Sequence, residues 1–153
     1  MVTKTWIFDP SKNTWTKGPA LKQKRYLQGC FTVKDKNQII KEIYVTGGYC
    51  PGCGDWLAST EHLSLNGPTE DWEWSDSQNL PHGIMNVNAV VESRESEYLG
   101  YNVGGHKGGE IEDTIYGLRK TDIGLAWEEL SKIKLPTYYH SVVNAPASII
   151  PSC

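Results

Sequence analysis

The chain has 153 residues, of which 39% are hydrophobic and 22% are charged, and it contains 15 glycines and 8 prolines. This composition can form a buried core, and it suits a fold with many turns better than a disordered chain. The formal charge is −3, and the most basic stretch, residues 22–25, is expected to be a solvated loop. No apolar stretch approaches the roughly 20 residues of a membrane-spanning helix. We therefore expect neither nucleic acid nor a membrane as a partner.

The predicted elements are short β-strands. Short runs rich in Val, Ile, Tyr, Trp and Thr, bounded by Gly, Pro, Asn or Asp, are typical of strands. In chain order these runs are residues 5–8 and 14–16, then 29–33, 43–46, 60–65 and 72–75, then 86–91, 98–103, 114–118 and 126–130, and finally 141–145. The sequence predicts an all-β fold without a helix.

One series of features occurs twice along the chain. Each unit has a strand closed by two glycines, then a strand that carries Trp, then a Leu-Pro step. The first unit has them at Gly47-Gly48, Trp74 and Leu80-Pro81, and the second at Gly104-Gly105, Trp127 and Leu135-Pro136. A period of about 55 residues with four strands per unit is typical of a β-propeller blade. Trp15 would occupy the same place in a preceding unit, so we expect Trp15, Trp74 and Trp127 to pack between blades.

This order of motifs resembles the kelch-repeat family of β-propellers, over nearly the whole length of the chain. Arg25-Tyr26 is nearest to the basic start of a kelch repeat, whereas Pro81 is followed by His82-Gly83 and no Arg. The resemblance implies a kelch-type propeller segment. Its parts would be outer strands of a partial blade at 1–24, full blades at 25–81 and 82–136, and an inner strand of a further blade at 137–153.

The predicted strands make fewer than three blades, whereas closed propellers have about four to eight. We expect a segment of a larger propeller, and the alternative is a small open β array that oligomerises. Unpaired edge strands expose backbone donors and acceptors. Self-association through these edges is therefore expected of the isolated chain.

The candidate binding residues lie on one rim of the predicted meanders. In each blade, the connections after strands two and four emerge on the same rim, and loops held on rigid sheets often bind partners. The kelch resemblance implies a protein partner at this rim, and the candidate residues there are Arg25, Tyr49, Trp56, His82, His106, Tyr138, Tyr139 and His140. Trp56 has no counterpart in the second repeat, so it is either a binding anchor or folds back over its own loop.

Two cysteines, Cys50 and Cys53, have the spacing of half a zinc site, but a structural site needs about four ligands. Free thiols, a disulfide and a metal site all stay open for them. The acidic clusters at residues 70–73 and 110–113 fall at strand starts and in loops, where carboxylates are ordinarily solvated. We expect no metal, no cofactor and no active site.

Two alternative functions remain for a chain that resembles the kelch family. One is the substrate-recognition part of a ubiquitin-ligase adaptor, whose other regions would lie outside these residues. The other is a redox enzyme domain, since some kelch propellers carry copper in an oxidase, but the Tyr, His and Cys residues that would bind it are dispersed here. Both a cytoplasmic and an extracellular location are compatible with the sequence.

Overall fold

The computed structural model describes residues 3–85, 88–91 and 96–142, and for 88–91 it describes the backbone alone. The described residues form strands joined by short turns, which confirms the predicted all-β fold. The strands are β1 (Trp6–Asp9), β2 (Thr14–Lys17), β3 (Gly29–Lys34), β4 (Ile40–Thr46), β5 (Tyr49–Cys50), β6 (Asp55–Trp56), β7 (Thr60–Ser64), β8 (Trp74–Asp76), β9 (Asn88–Val91), β10 (Tyr98–Lys107), β11 (Glu110–Thr121) and β12 (Gly124–Lys132).

Two antiparallel four-stranded sheets dominate the structure. The first sheet has the order β3-β4-β7-β8 and the second has the order β9-β10-β11-β12, while β1–β2 and β5–β6 are separate two-stranded hairpins. The small hairpin β5–β6 is inserted between β4 and β7, so the main strands of each sheet still follow one another as a meander. Strand β3 of the first sheet lies beside β9 and β10 of the second.

The first double glycine follows the end of β4, as the sequence predicts, whereas the second lies within β10, which continues through it to Lys107 with a shift in register. Gly47 and Gly48 have φ angles of 63° and 104°, and Gly104 and Gly105 have φ angles of 61° and 125°. These are left-handed backbone conformations that residues other than Gly rarely adopt. A Cβ on Gly48 would also lie 2.9 Å from the carbonyl oxygen of Tyr26. Glycine therefore lets two chain segments approach closely at this point.

Aromatic side chains fill the space between the two sheets. Phe31 stacks on Tyr44 with ring centroids 4.9 Å apart and meets Trp127 edge to face at 6.3 Å. Buried Leu118 completes this cluster. Gly100 lies directly against the Phe31 ring, so a larger side chain there would collide with it. The close fit makes Phe31 the centre of the contact between the sheets.

A second cluster lies on the other face of the first sheet, because side chains alternate along a strand. Val45, Leu63 and Trp74 are buried there, and Leu21 packs against them. The Trp74 indole Nε1 donates to the Pro19 carbonyl at 3.2 Å. This contact attaches the segment before the first sheet to the outer strand of that sheet.

Of the three tryptophans expected to pack between blades, Trp74 is buried on the far face of the first sheet, Trp127 packs against Phe31 between the two sheets, and Trp15 is exposed, which contradicts the expectation for Trp15. Trp74 is 5% exposed, while Trp127 is half-buried and donates its Nε1 to the Gln78 carbonyl at 2.9 Å. Trp15 is 64% exposed and contacts the Phe8 ring at 4.8 Å. The reason is that Trp15 lies on the outward face of the β1–β2 hairpin, which no described sheet covers.

Four local predictions differ from the structure. The predicted loop at 49–57 contains β5 and β6, and a short 3-10 turn at Thr69–Asp71 stands where no helix was predicted. Strands β10 and β11 extend to Lys107 and Glu110, so the predicted loop after Gly105 is a tight turn. Residues 141–142 are not in a strand, and the rest of the predicted strand 141–145 lies outside the described residues, as do 86–87.

Candidate functional site

The first group of candidate side chains surrounds Tyr49, the residue that follows Gly48. Tyr26 and Tyr49 exchange backbone hydrogen bonds of 3.2 and 2.8 Å, and Trp56 is the partner of Tyr49 across the hairpin β5–β6. The Tyr49 ring centroid is 5.6 Å from that of Tyr26 and 5.4 Å from that of Trp56. We call Tyr26, Tyr49 and Trp56 the first aromatic group.

Trp56 is less accessible than a free binding anchor would be. Its side chain is half-buried, and its backbone carbonyl lies so close to Gly83 that a Cβ could not be added there. Its indole Nε1 is buried and has no hydrogen-bond partner among the described residues. This placement agrees better with the alternative interpretation, in which Trp56 folds back. The exposed member of the group is Tyr26, at 40%.

A disulfide between Cys50 and Cys53 closes the turn of the β5–β6 hairpin, with the two Cα atoms 5.4 Å apart. The Cys53 amide also donates to the Cys50 carbonyl at 3.1 Å. The Gly52 amide donates to the Asp55 carboxylate at 3.3 Å. Of the alternatives that the sequence left open for this pair, the structure shows the disulfide.

The second group of candidate side chains lies beyond Gly105. Tyr138 contacts the His106 ring at 5.7 Å and the Tyr139 ring at 5.0 Å, and Tyr138 and Tyr139 are 43% and 69% exposed. His106 exchanges backbone hydrogen bonds of 3.0 and 2.8 Å with Met85, just as Tyr49 does with Tyr26. We call His106, Tyr138 and Tyr139 the second aromatic group.

The two aromatic groups occupy equivalent places in the two sheets. Tyr49 follows the double glycine after β4, and His106 follows the double glycine within β10. The junction between the sheets lies next to both, since the Gly48 amide donates to the Ile84 carbonyl at 2.7 Å and Met85 pairs with His106. The surface formed by both groups is the candidate binding surface. Tyr26 belongs to it although the sequence analysis did not select it, because its pairing with Tyr49 is non-local.

Arg25 was predicted to bind a partner, and the structure contradicts this because the side chain is 2% exposed. One terminal nitrogen donates to the Gly47 and Ser59 carbonyls at 2.7 and 2.9 Å. The other forms an ion pair of 2.7 Å with Glu61, which is also buried. Backbone amides of residues 22 and 23 donate to the same carboxylate. Arg25 therefore holds the start of the first sheet together, and the basic stretch is not entirely solvated.

His82 is half-buried and pairs with a carboxylate from the second sheet. Its Nε2 is 2.8 Å from Glu112, whose side chain is 10% exposed. Burial alone would raise the pKa of Glu112, but hydrogen bonds from Thr114 and His82 outweigh it, and the pKa is lower than usual. The acidic cluster that contains Glu112 is thus not simply solvated, and Asp113 is likewise paired, with Lys132 at 2.9 Å.

His140 is half-buried against the second double glycine. Its Cε1 lies 3.2 Å from the place that a Cβ on Gly104 would take. Neither ring nitrogen has a hydrogen-bond partner among the described residues. His140 thus packs beside the candidate surface and is less accessible than Tyr139.

In the described ranges, no group of three or more His, Cys, Asp or Glu side chains could hold a metal ion. Within the same ranges, no helix is long and apolar enough to cross a membrane.

Comparison with known proteins relates the chain to a known fold. No family model matches the sequence, and no curated protein matches it either. The structure is similar to the solved structure of YjhT, with a TM-score of 0.64 and 16% sequence identity. The match covers 88% of this chain and 45% of that one, so the chain spans less than half the length of the structure it matches. At this identity the likeness concerns the fold.

Proposed function

We propose that the two sheets are successive blades of a kelch-type β-propeller and that the chain binds a protein partner through the candidate binding surface. The observation that carries the proposal is the pair of aromatic groups at equivalent places in the two sheets. Both follow a double glycine, and both are attached to a rigid sheet by backbone hydrogen bonds.

The blade assignment rests on the order and packing of the strands. Each sheet is a four-stranded antiparallel meander, and β3 of one sheet lies beside β9 of the other. Four-stranded sheets that pack side by side in this order are the units of propellers. The spacing of the double glycines, the strand-borne Trp and the Leu-Pro step supports the kelch type.

The side chains of the surface suit recognition of a protein. Tyr26, Tyr138 and Tyr139 are 40%, 43% and 69% exposed, although all three are large and partly apolar. Tyrosine offers a rigid contact area and a hydroxyl at a low cost in conformational entropy, and aromatic residues are frequent hot spots of interfaces. Four neighbouring ionisable groups are engaged in structural pairs, His82 with Glu112 and Asp113 with Lys132. We assign no catalytic role to them.

The test compares one triple variant and one double variant of the whole protein. The binding partner is captured by proximity crosslinking, identified by mass spectrometry, and its affinity is measured with purified protein. Replacing Tyr26, Tyr138 and Tyr139 by Ala is expected to weaken the affinity by a factor of about 100 or more, because hot-spot side chains contribute about 2 kcal/mol each.

The matched control removes aromatic side chains elsewhere. Trp6 and Trp15 are 57% and 64% exposed on the β1–β2 hairpin, so replacing both by Ala removes a comparable exposed aromatic surface. This variant is expected to bind normally. A loss of affinity in the Trp variant with none in the Tyr variant would place the binding site on the hairpin and contradict the proposal.

A further inference from the structure

The Cys50–Cys53 disulfide lies inside the first aromatic group, since the strands that carry Tyr49 and Trp56 meet at its turn. Its two cysteines differ in accessibility. Cys50 has no exposed surface, whereas Cys53 is exposed. This difference in residue exposure favours Cys53 over Cys50 as the residue that a thiol from solution reaches. Such an asymmetry influences which sulfur is attacked.

Apart from the disulfide, the tip of this hairpin is held by the Gly52 and Cys53 amide hydrogen bonds within the turn and by a long hydrogen bond, 3.4 Å, from the Gln23 side-chain amide to the Cys53 carbonyl. The ladder consists of the pairs Tyr49↔Trp56 and Cys50↔Asp55. The turn contains left-handed backbone at Gly52, Gly54 and Asp55, with φ angles of 75°, 117° and 52°. So short a ladder is marginal in water.

The two ends of the hairpin, in contrast, are firmly attached. Tyr49 pairs with Tyr26, and the Leu57 amide donates to the Gly48 carbonyl at 2.9 Å. Opening the disulfide would therefore release the tip without detaching the hairpin from the sheet. The released cysteines would stay close to each other, so that the disulfide can form again.

We propose that the Cys50–Cys53 disulfide is a thiol-exchange site for dithiol reductants, attacked at Cys53, and that its redox state controls the first aromatic group. A thiolate of the dithiol forms a bond to the Cys53 sulfur, the Cys50–Cys53 bond breaks, and Cys50 leaves as a thiolate that takes up a proton. The second thiol of the reductant loses its proton and attacks the mixed disulfide. Cys53 leaves as a thiolate and is protonated, and the reductant leaves as a disulfide, so two electrons pass to the protein.

The consequence for binding rests on the proposed function. When the disulfide is oxidised, the hairpin turn fixes the spacing of Tyr49 and Trp56. Tyr49 then supports the exposed Tyr26 ring. Reduced, the tip adopts several conformations, and ordering it again on binding reduces the affinity. The second aromatic group contains no cysteine and is not affected.

The exchange step is tested in a variant that keeps only the two hairpin cysteines, Cys30→Ser with Cys153→Ser. The oxidised protein is incubated with glutathione, acid-quenched and mapped by mass spectrometry. We expect about tenfold more glutathione on Cys53 than on Cys50, since attack requires access to the sulfur. Dithiothreitol should then reduce the disulfide while the circular dichroism of the sheets stays unchanged. Equal labelling of both cysteines, or a disulfide that dithiothreitol opens only after unfolding, would overturn the proposal.

The control of binding is tested with the captured partner. Protein that has been reduced and then alkylated with iodoacetamide is compared with the oxidised protein, and we expect an affinity about tenfold lower, a loss typical of a disordered interface segment. Cys53→Ser should behave in the same way. If exchange is selective for Cys53 but the reduced protein binds the partner as tightly as the oxidised protein does, the proposed control of binding is wrong. If the oxidised protein binds no partner, the proposed function fails, and the labelling result alone decides on the exchange site.

Discussion

The two sheets place different chemistry at the same positions. The backbone pairs Tyr26↔Tyr49 and Met85↔His106 are equivalent, so Arg25 of the first sheet corresponds to Ile84 of the second. By the same alignment Glu61, which pairs with Val45 across the strands, corresponds to Tyr116, which pairs with Asn102. The first sheet therefore buries an ion pair where the second has an aliphatic and an aromatic side chain.

The ionic pair and the apolar pair both fill this space, but they require different surroundings. Ile84 is 0% and Tyr116 5% exposed, and both belong to one cluster with Leu80. The pair of Arg25 and Glu61 is just as buried but is stabilised by donors and acceptors from several segments. A buried charge needs such partners, whereas an apolar pair needs only the right volume. The backbone of this unit thus accommodates either an ionic or an apolar pair of side chains. The ionic pair links more segments of the chain.

The largest expected effect comes from breaking the ion pair. Replacing Arg25 by Met leaves the buried Glu61 carboxylate without its counter-charge, and this should destabilise the protein by about 3–5 kcal/mol. Urea unfolding followed by circular dichroism measures the loss. The double variant Arg25→Ile with Glu61→Tyr copies the second sheet and should recover most of it. If Arg25→Met were as stable as the parent protein, the ion pair would not be structurally important.

A second comparison is between Trp74, which is buried in the first sheet, and Trp15, which is exposed on the β1–β2 hairpin. Trp74→Ala should cost about 3–5 kcal/mol, because a large buried side chain leaves a cavity. Trp15→Ala should change stability by no more than about 0.5 kcal/mol, because that side chain is exposed. Thermal and urea unfolding of both variants provide the measurement. Equal losses at the two positions would mean that Trp15 is covered in solution.

A smaller effect is expected in the apolar counterpart of the ion pair. Ile84→Val removes one methylene group from a fully buried site and should cost about 0.5–1.5 kcal/mol. The same unfolding experiment detects this change. A loss as large as that of Arg25→Met would show that the two sheets do not differ in their sensitivity at this position.

The smallest effect concerns pH. The pKa of Glu112 is lower in the folded protein than its ordinary value of 4.5. The carboxylate therefore stabilises the fold above that value, and the stabilisation is lost as the pH falls below it, through the lower folded pKa. Glu112→Gln should lose stability less steeply than the parent protein between about pH 5 and pH 3. Parallel slopes for the two proteins in urea titrations would contradict this assignment.

The sequence predicts the main strands because their signals are local. Alternating β-branched and aromatic residues define a strand, and the double glycine at 47–48 marks where β4 ends. The β5–β6 hairpin was missed because each of its strands has two residues, too few to show a pattern. Of the side chains in the two aromatic groups, the sequence proposes Tyr49, Trp56, His106, Tyr138 and Tyr139 but not Tyr26, and it also proposes Arg25, which is buried. Their role in binding stays a prediction.

The sequence by itself determined the order of the main strands along the chain, the end of β4 at its double glycine and the recurrence of the same motifs in two units, since each depends on local residue patterns. Only the tertiary structure decided which polar side chains are buried and which aromatic ones are exposed. Arg25 meets Glu61 across 36 residues, and Trp74 meets Pro19 across 55. Trp15 occupies the same place in the pattern as Trp74 but has no sheet above it. Burial depends on contacts between distant segments, and a local pattern does not contain them.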